Sequence, residues 1–408
     1  MLASLTRLLA LPLVLLTACD GGDTKPKDAA PDKILVGEFG SLTGSEATFG
    51  QSTHQGIQLA LEEFNKAGGL NGKPIELKTY DDQGKTQEAG TAVTRLIADD
   101  KVVAVLGEVS SGLSMAGGAV AQQFGVPMIS PSSTNAQVTQ IGDMIFRVCF
   151  VDSFQGYVSA KFAKQNLEVN SVAILFDQGS PYSAGLKDDF AREFTALGGT
   201  IAGSAQAYTG GDQDFSAQLT SIREANPEAV FIPGYYTDVA NIALQARKLG
   251  LNVPLLGGDG WDSSQLAAIA GDSIEGAYYS NHYSHEEARP EVQDFVQRYQ
   301  ARYNQVPDGL AALGYDAARI LFESMKRAPT LGGADLAKAI ADTKDFHGVT
   351  GVITIDPERN ARKPAVMVQM KGGKPTYVTT IYPKGMEPPA AAPEAPAAPE
   401  APAAPATP

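Results

Sequence analysis

The body of the chain repeats one unit, and that repetition limits the fold more than any single residue does. A short apolar run is followed by residues at helical spacing, and the pair recurs. Ile34-Leu35-Val36 reads as a strand; Ile57, Ala60, Leu61 and Phe64 then follow at helical spacing, closed by Gly68-Gly69. Ile75-Glu76-Leu77, a helix marked by Val93, Leu96 and Ile97, the run Val102 to Leu106, and Met128-Ile129 continue the series. Strand–helix–strand repetition predicts a mostly parallel sheet covered on both faces. The series restarts after residue 153. Val172 to Phe176 is a strand, Leu186, Phe190 and Phe194 form a helix stripe, and strands follow near 200–207, 229–232 and 254–257. Helices return near 290–303 and 309–327, an order that lets the chain cross back to the first sheet. The expected fold is α/β, with two Rossmann-like lobes around parallel-sheet cores.

Both ends stand apart from this pattern. Arg7 precedes an apolar run from Leu8 to Leu16, too short to span a bilayer but suited to the core of a signal peptide over residues 1–18. Leu16-Thr17-Ala18-Cys19 resembles a bacterial lipoprotein cleavage box, which implies cleavage before Cys19 and lipid attachment to it. Acyl chains on one cysteine anchor a protein without a transmembrane helix. Asp20 leans toward retention at the periplasmic face of the inner membrane. Residues 19–32 then read as a tether. Residues 384–408, almost all Pro, Ala and Glu from Pro388 on, cannot bury a core and read as a disordered tail. What remains is about 350 residues, enough for two domains.

Charge and cysteine content remove several function classes. A formal net charge of -14 argues against a nucleic-acid partner, which requires a basic stripe. With Cys19 lipidated, Cys149 has no partner for a disulfide within the mature chain. Lying after the apolar run Ile145 to Val148, it reads as a buried inert thiol. No Gly-rich loop ends in Lys-Ser or Lys-Thr, and no Gly-x-Ser-x-Gly nucleophile elbow occurs. His282 and His285, near Glu286 and Glu287, invite a metal reading, but no third ligand is indicated. No catalytic residue, no metal and no cofactor is expected.

Ligands of parallel α/β sheets bind beyond the carboxyl ends of the strands. After Leu106 comes Gly107-Glu108-Val109-Ser110-Ser111-Gly112, and after Ile129 comes Ser130-Pro131-Ser132-Ser133-Thr134. Hydroxyls and free N–H groups at a helix start suit a carboxylate; plain N-capping is the competing reading. The second series offers a different chemistry at equivalent places. Tyr182 follows the strand ending at Phe176, Tyr235 follows Gly234, and Asp259 stands between Gly258 and Gly260. An acid among aromatic faces suits an ammonium group, although Asp259 alone fits a turn equally well. Phe49 and Trp261 are candidates for a side-chain pocket, with core packing the alternative for Trp261. A zwitterion held between the two lobes satisfies both sets.

Together these segments resemble the branched-chain amino acid-binding proteins of ABC importers, of the type I periplasmic-binding fold. The resemblance runs from about Lys33 to Tyr382. Ile34-Leu35-Val36-Gly37, Ser41-Leu42-Thr43-Gly44, Asn65 to Gly72, Tyr80-Asp81-Asp82, Gly107 to Ser111, Pro127 to Thr134, Tyr182 to Gly185 and Asp214-Phe215-Ser216 carry it. It implies Ser111, Ser132 and Thr134 as carboxylate contacts, and Tyr182, Tyr235 and Asp259 as ammonium contacts. Members usually carry Glu at the last place, and some carry Tyr where Phe49 stands. The cysteines that bridge two loops in some members are absent near Gly84 and Ser110. The resemblance also implies a hinge of three crossovers, near 150–153, 280–284 and 353–357. Lobe 1 is then 33–152 with 284–354, and lobe 2 is 153–283 with 355–383. The implied protein is no enzyme. It is a monomeric solute-binding lipoprotein that passes a small aliphatic amino acid to an ABC permease. The alternatives are a receptor for an amide, urea or aromatic acid, or a sensory ligand-binding protein.

Overall fold

A computed structural model describes residues 33–386. The signal peptide, Cys19, the tether and the tail from residue 387 on lie outside the described residues. Among the described residues no helix is long and apolar enough to cross a membrane.

Five parallel strands form the first sheet: β1 (Ile34–Gly40), β2 (Ile75–Asp81), β3 (Val105–Leu106), β4 (Met128–Ser130) and β5 (Ile145–Arg147), in the order β2-β1-β3-β4-β5. The register runs Ile34↔Ile75, Gly37↔Val105, Val105↔Met128 and Met128↔Ile145. β3, β4 and β5 are buried along their length, as expected of strands covered on both faces. The apolar run Val102 to Leu106 forms a ladder only at its last two residues.

The second sheet is built from β6 (Ser171–Asp177), β7 (Thr200–Ile201), β8 (Gln206–Tyr208), β9 (Ala229–Phe231), β10 (Leu255–Gly257) and β11 (Tyr278–Asn281), all in parallel pairs. The helix Asp152–Gln165 packs on the helix Pro181–Ala196 beside this sheet. After β11 the chain returns. The helix Gly309–Arg327, buried along most of its length, lies against the helix Ala47–Lys66 of the first sheet. Contact there is backbone to backbone. A Cβ on Gly56 would meet the Ala311 carbonyl carbon at 2.8 Å and Tyr315 N at 2.9 Å, and one on Gly314 would meet Thr53 O at 2.5 Å.

The last third departs from the parallel pattern. β12 (Phe346–Gly348), β13 (Gly351–Ile355) and β14 (Ala361–Arg362) make a separate antiparallel sheet. The buried Asp316 carboxylate holds it to the long helix by accepting the Val349 and Thr350 N–H groups, each at 2.9 Å. Residues 353–355, where a crossover was expected, are thus paired inside this small sheet. The chain joins the second sheet only at β15 (Ala365–Lys371), antiparallel to β11, and ends in β16 (Lys374–Ile381). The sequence patterns differ accordingly. Gly351–Ile355 alternates buried and exposed, while Ala365–Met370 is buried almost throughout. Gly372 and Gly373, at φ 57° and 71°, supply the left-handed turn between the final pair.

Candidate functional site

The loops at the carboxyl ends of β1, β3 and β4 meet those of β6, β9 and β10, where an α/β sheet places its ligands. Thr237 Oγ1 donates to Ser45 O at 2.7 Å and Asn135 Nδ2 to Pro181 O at 2.8 Å. Gly309 N donates to Asp262 Oδ2 at 2.7 Å. The two lobes are closed on each other.

Between them lies a small cavity lined by Phe49, Val109, Ser111, Ser132, Thr134, Tyr182, Tyr235, Asp259, Gly260 and Leu310. Seven of the eight contact residues expected from sequence are in this wall.

Trp261 is the exception and corrects that expectation. It is fully buried, its Nε1–H donates to Ile232 O at 2.9 Å, and its ring packs on Tyr279 with centroids 6.0 Å apart. The 3₁₀ turn Asp259–Trp261 directs the carboxylate to the cavity and the indole to the sheet, so the Trp serves the core.

The hydroxyl side is built by strand-end geometry rather than capping. Ser180, Ser263 and Asp308 do cap helices through their side chains. Ser110, ahead of the helix Ser111–Phe124, makes no such bond; its hydroxyl donates to Glu46 Oε2 at 2.8 Å. Ser111 Oγ accepts the Asn135 N–H at 3.2 Å, which leaves its own proton free to donate. Thr134 Oγ1 is buried and makes no close hydrogen bond; the polar group facing it is the buried Asp152 carboxyl, which burial pushes well above the usual carboxylate range. A hydroxyl without a close partner in a polar cavity costs free energy unless a ligand or water completes it. Ser133, between two lining residues, turns away and donates to Val109 O at 2.8 Å.

Glu108 underlies this arrangement and was not singled out from sequence. Its carbonyl oxygen accepts from the Ser114 and Ser130 hydroxyls at 2.9 and 2.7 Å and lies 3.0 Å from that of Ser133. Its carboxyl accepts Ser41 N–H and Oγ–H, both at 3.0 Å. Burial pushes this acid well above the usual carboxylate range. The loop that presents Ser111 is thus tied to β1 and β4.

On the other side Asp259 is surrounded by donors. Its Oδ1 accepts Tyr182 Oη at 3.0 Å and Gln155 Nε2 at 2.7 Å; its Oδ2 accepts His282 Nε2 at 2.9 Å. Burial holds His282 down at about 4, so the imidazole is neutral at pH 7. All three donors are therefore uncharged, and they solvate the carboxylate without balancing it. Tyr182 and Tyr235 stack at 5.2 Å with planes 3° apart, and Phe49 meets the Tyr235 ring edge-on at 5.6 Å. These faces wall the carboxylate off from solvent and are themselves attractive to a cation.

Gln155, His282 and Leu310 had no assigned role in the sequence reading. The one available signal was at His282, considered with His285 for a metal. Among the described residues no group of three or more His, Cys, Asp or Glu is arranged to hold a metal ion. Cys149 is buried, its thiol pushed up to about 12 by desolvation, and it donates to Ser133 O. Tyr235 also lines a wider cleft beside the cavity, walled in part by Glu46 and Asp238. Burial pushes these two carboxyls up to about 7 and about 6.

Comparison with known proteins matches residues 33–374 to the family described as periplasmic binding protein. A Leu/Ile/Val-binding protein homolog of Brucella melitensis is 30% identical over 339 residues, which cover 83% of this chain and 91% of that protein. The crystal structure of a leucine binding protein from Thermotoga maritima superposes with a TM-score of 0.82 at 37% identity, covering 86% of this chain and 99% of that one. A branched-chain amino acid transporter substrate binding protein from Streptococcus pneumoniae, in complex with isoleucine, gives 0.81 at 34% identity, covering 86% and 100%. A Rhodopseudomonas palustris solute binding protein in complex with benzoate, at 23% identity and a TM-score of 0.76, covering 86% and 98%, shares the fold alone.

Proposed function

The chain belongs to the periplasmic binding protein family, and on that premise we propose that it is an exported lipoprotein receptor that captures a small aliphatic amino acid by hinge closure and delivers it to an ABC importer. In this reading Ser111, Ser132 and Thr134 take the ligand carboxylate, and Tyr182, Tyr235 and Asp259 take its ammonium. Phe49, Val109 and Leu310 meet the side chain. Cys19 carries the lipid, and the third crossing lies at Lys363–Pro364. The observation that carries it is one cavity with the Ser111 and Thr134 hydroxyls from one lobe and the Asp259 carboxylate, held only by neutral donors, from the other. Relatives at 30–37% identity whose names specify leucine, isoleucine or valine support the ligand class.

An aromatic acid is the second reading, favoured by the benzoate-bound neighbour. Against it stands Asp259: a second carboxylate in the same small cavity is repelled, and burial strengthens the repulsion.

Thermal-shift titration of the full chain decides between them. Leucine, isoleucine, valine or alanine at one hundred times Kd should raise the midpoint by roughly 5 °C. 4-Methylpentanoate and 3-methylbutylamine, each lacking one charged group of leucine, should leave it unmoved. A shift with benzoate and with none of the amino acids would sink the amino-acid reading. The anchor has its own test: palmitate label on the expressed protein should disappear in Cys19→Ala, and retained label would remove the lipoprotein claim.

A further inference from the structure

His282 stands at the second passage between the sheets. It directly follows β11, where the chain leaves the second sheet for the helices that pack on the first. Its ring stacks on Phe150, with centroids 3.8 Å apart and planes at 23°, and Phe150 lies in the first passage, between β5 and the helix Asp152–Gln165. His282 is 2% exposed, and its Nδ1 has no partner in the protein. An imidazole whose Nδ1 finds no acceptor carries its proton on Nε2, the nitrogen that meets Asp259 Oδ2 at 2.9 Å. Gln155 works from the same side. Its Nε2 bridges Asp259 Oδ1 at 2.7 Å and Ser280 Oγ of β11 at 3.0 Å. The carboxylate is thus held from behind by groups of the crossing segments, while its remaining face is in the cavity wall.

We propose that His282 is a positioning residue for ligand capture, which aims Asp259 at the ligand's ammonium and ties that contact to the two stacked interlobe crossings. The inference rests on the amino-acid reading of the cavity and says how its cationic end is held. An Asp, one methylene shorter than Glu, can serve here because His282 and Gln155 fix it against the cavity wall.

The charged or titratable groups around the imidazole are Asp259 from the loop after β10, Lys363 from the link before β15, and Glu287 and Arg289 beyond it in the same segment. A protonated His282 would supply the positive charge that the ligand ammonium supplies, so the two compete for Asp259. The bound form disfavours the imidazolium, and affinity should therefore weaken as pH falls through the His282 titration, which burial holds down at about 4. Glu46 and Asp238 titrate at about 7 and about 6. They act equally in wild type and variants, so the difference between the two isolates His282.

The test is leucine binding by calorimetry on the full chain at pH 7.0 and 4.0, for wild type, His282→Gln, His282→Asn and Asp259→Asn. A Gln amide reaches the place of Nε2 and does not titrate; an Asn amide falls short. His282→Gln should bind within about threefold of wild type at pH 7.0 and lack the roughly twofold extra weakening of wild type at pH 4.0. His282→Asn should bind on the order of tenfold to thirtyfold more weakly, the loss of one hydrogen bond to a charged group. Equal affinity in Gln and Asn variants, or a pH response in His282→Gln that matches wild type, overturns the inference. If Asp259→Asn loses leucine while every His282 variant keeps it, only this inference fails. If Asp259→Asn binds like wild type, or wild type itself ignores leucine, the amino-acid reading fails and takes the inference with it.

Discussion

Asp259→Asn should weaken amino-acid binding by at least about 30-fold and leave the folded state close to intact. The carboxylate accepts from Tyr182 and Gln155 on one oxygen and from His282 on the other. An amide oxygen can keep the first two. Its NH2 then faces His282 Nε2, which becomes an acceptor if the ring proton moves to the unpartnered Nδ1. That rearrangement costs one poorly satisfied buried N–H, about 1–3 kcal/mol, and spares the packing. What it cannot restore is charge. An ammonium drawn into a water-poor cavity loses its hydration and needs a full anion in return. Removing one partner of such a pair costs roughly 2–5 kcal/mol. Calorimetry on the variant reads the loss directly, and the unliganded melting midpoint reports whether the fold survived. Affinity within threefold of wild type would place the ammonium elsewhere.

Gly56→Ala should lower stability by about 2–3 kcal/mol, although alanine is the better helix former. At this position the helix Ala47–Lys66 touches the backbone of Gly309–Arg327, and a methyl group lands 2.8 Å from the Ala311 carbonyl carbon and 2.9 Å from Tyr315 N. Backbone cannot rotate aside as a side chain can, so the two helices must separate along a contact packed at interior density. The helix-propensity gain of about 1 kcal/mol offsets part of the cost. The melting midpoint should fall by roughly 3–4 °C. Gly90→Ala supplies the contrast. It lies in the helix Thr86–Ala98 with nothing within 4 Å of the added atom, and the same exchange there should be neutral or stabilising by up to about 1 kcal/mol. Two variants of equal midpoint would contradict the packing argument. Gly56→Ala should also weaken ligand binding, because Phe49 and Leu310 line the cavity from the first turns of these two helices.

Legibility followed the range of the interaction. Apolar runs and helical spacing are local, so the strand at Ile34 and the helices near 290–303 and 309–327 could be read before any contact was known. Strand ends are local too, and they pointed to the segments 107–112, 130–134, 177–182 and 258–260, within which the family resemblance picked Ser111, Thr134, Tyr182 and Asp259. The final third was harder. Gly351–Ile355 and Ala365–Lys371 are both β-prone, and only partner choice separates the small sheet from the antiparallel edge of the second one. Trp261 was misjudged for the same reason. Two residues after Asp259, its direction is set by a 3₁₀ turn and by the Ile232 carbonyl 29 positions away.

By itself the sequence determined the two-lobed α/β fold and the strand ends that carry the cavity wall, because hydrophobic period and turn chemistry act over a few residues. Only the tertiary structure decided which side chains support that wall. Gln155 reaches Asp259 across 104 positions, Glu108 gathers hydroxyls from Ser114, Ser130 and Ser133, and His282 joins Asp259 to Phe150. No periodicity encodes such contacts. They exist because buried polar groups must find partners wherever folding has brought one within hydrogen-bond distance.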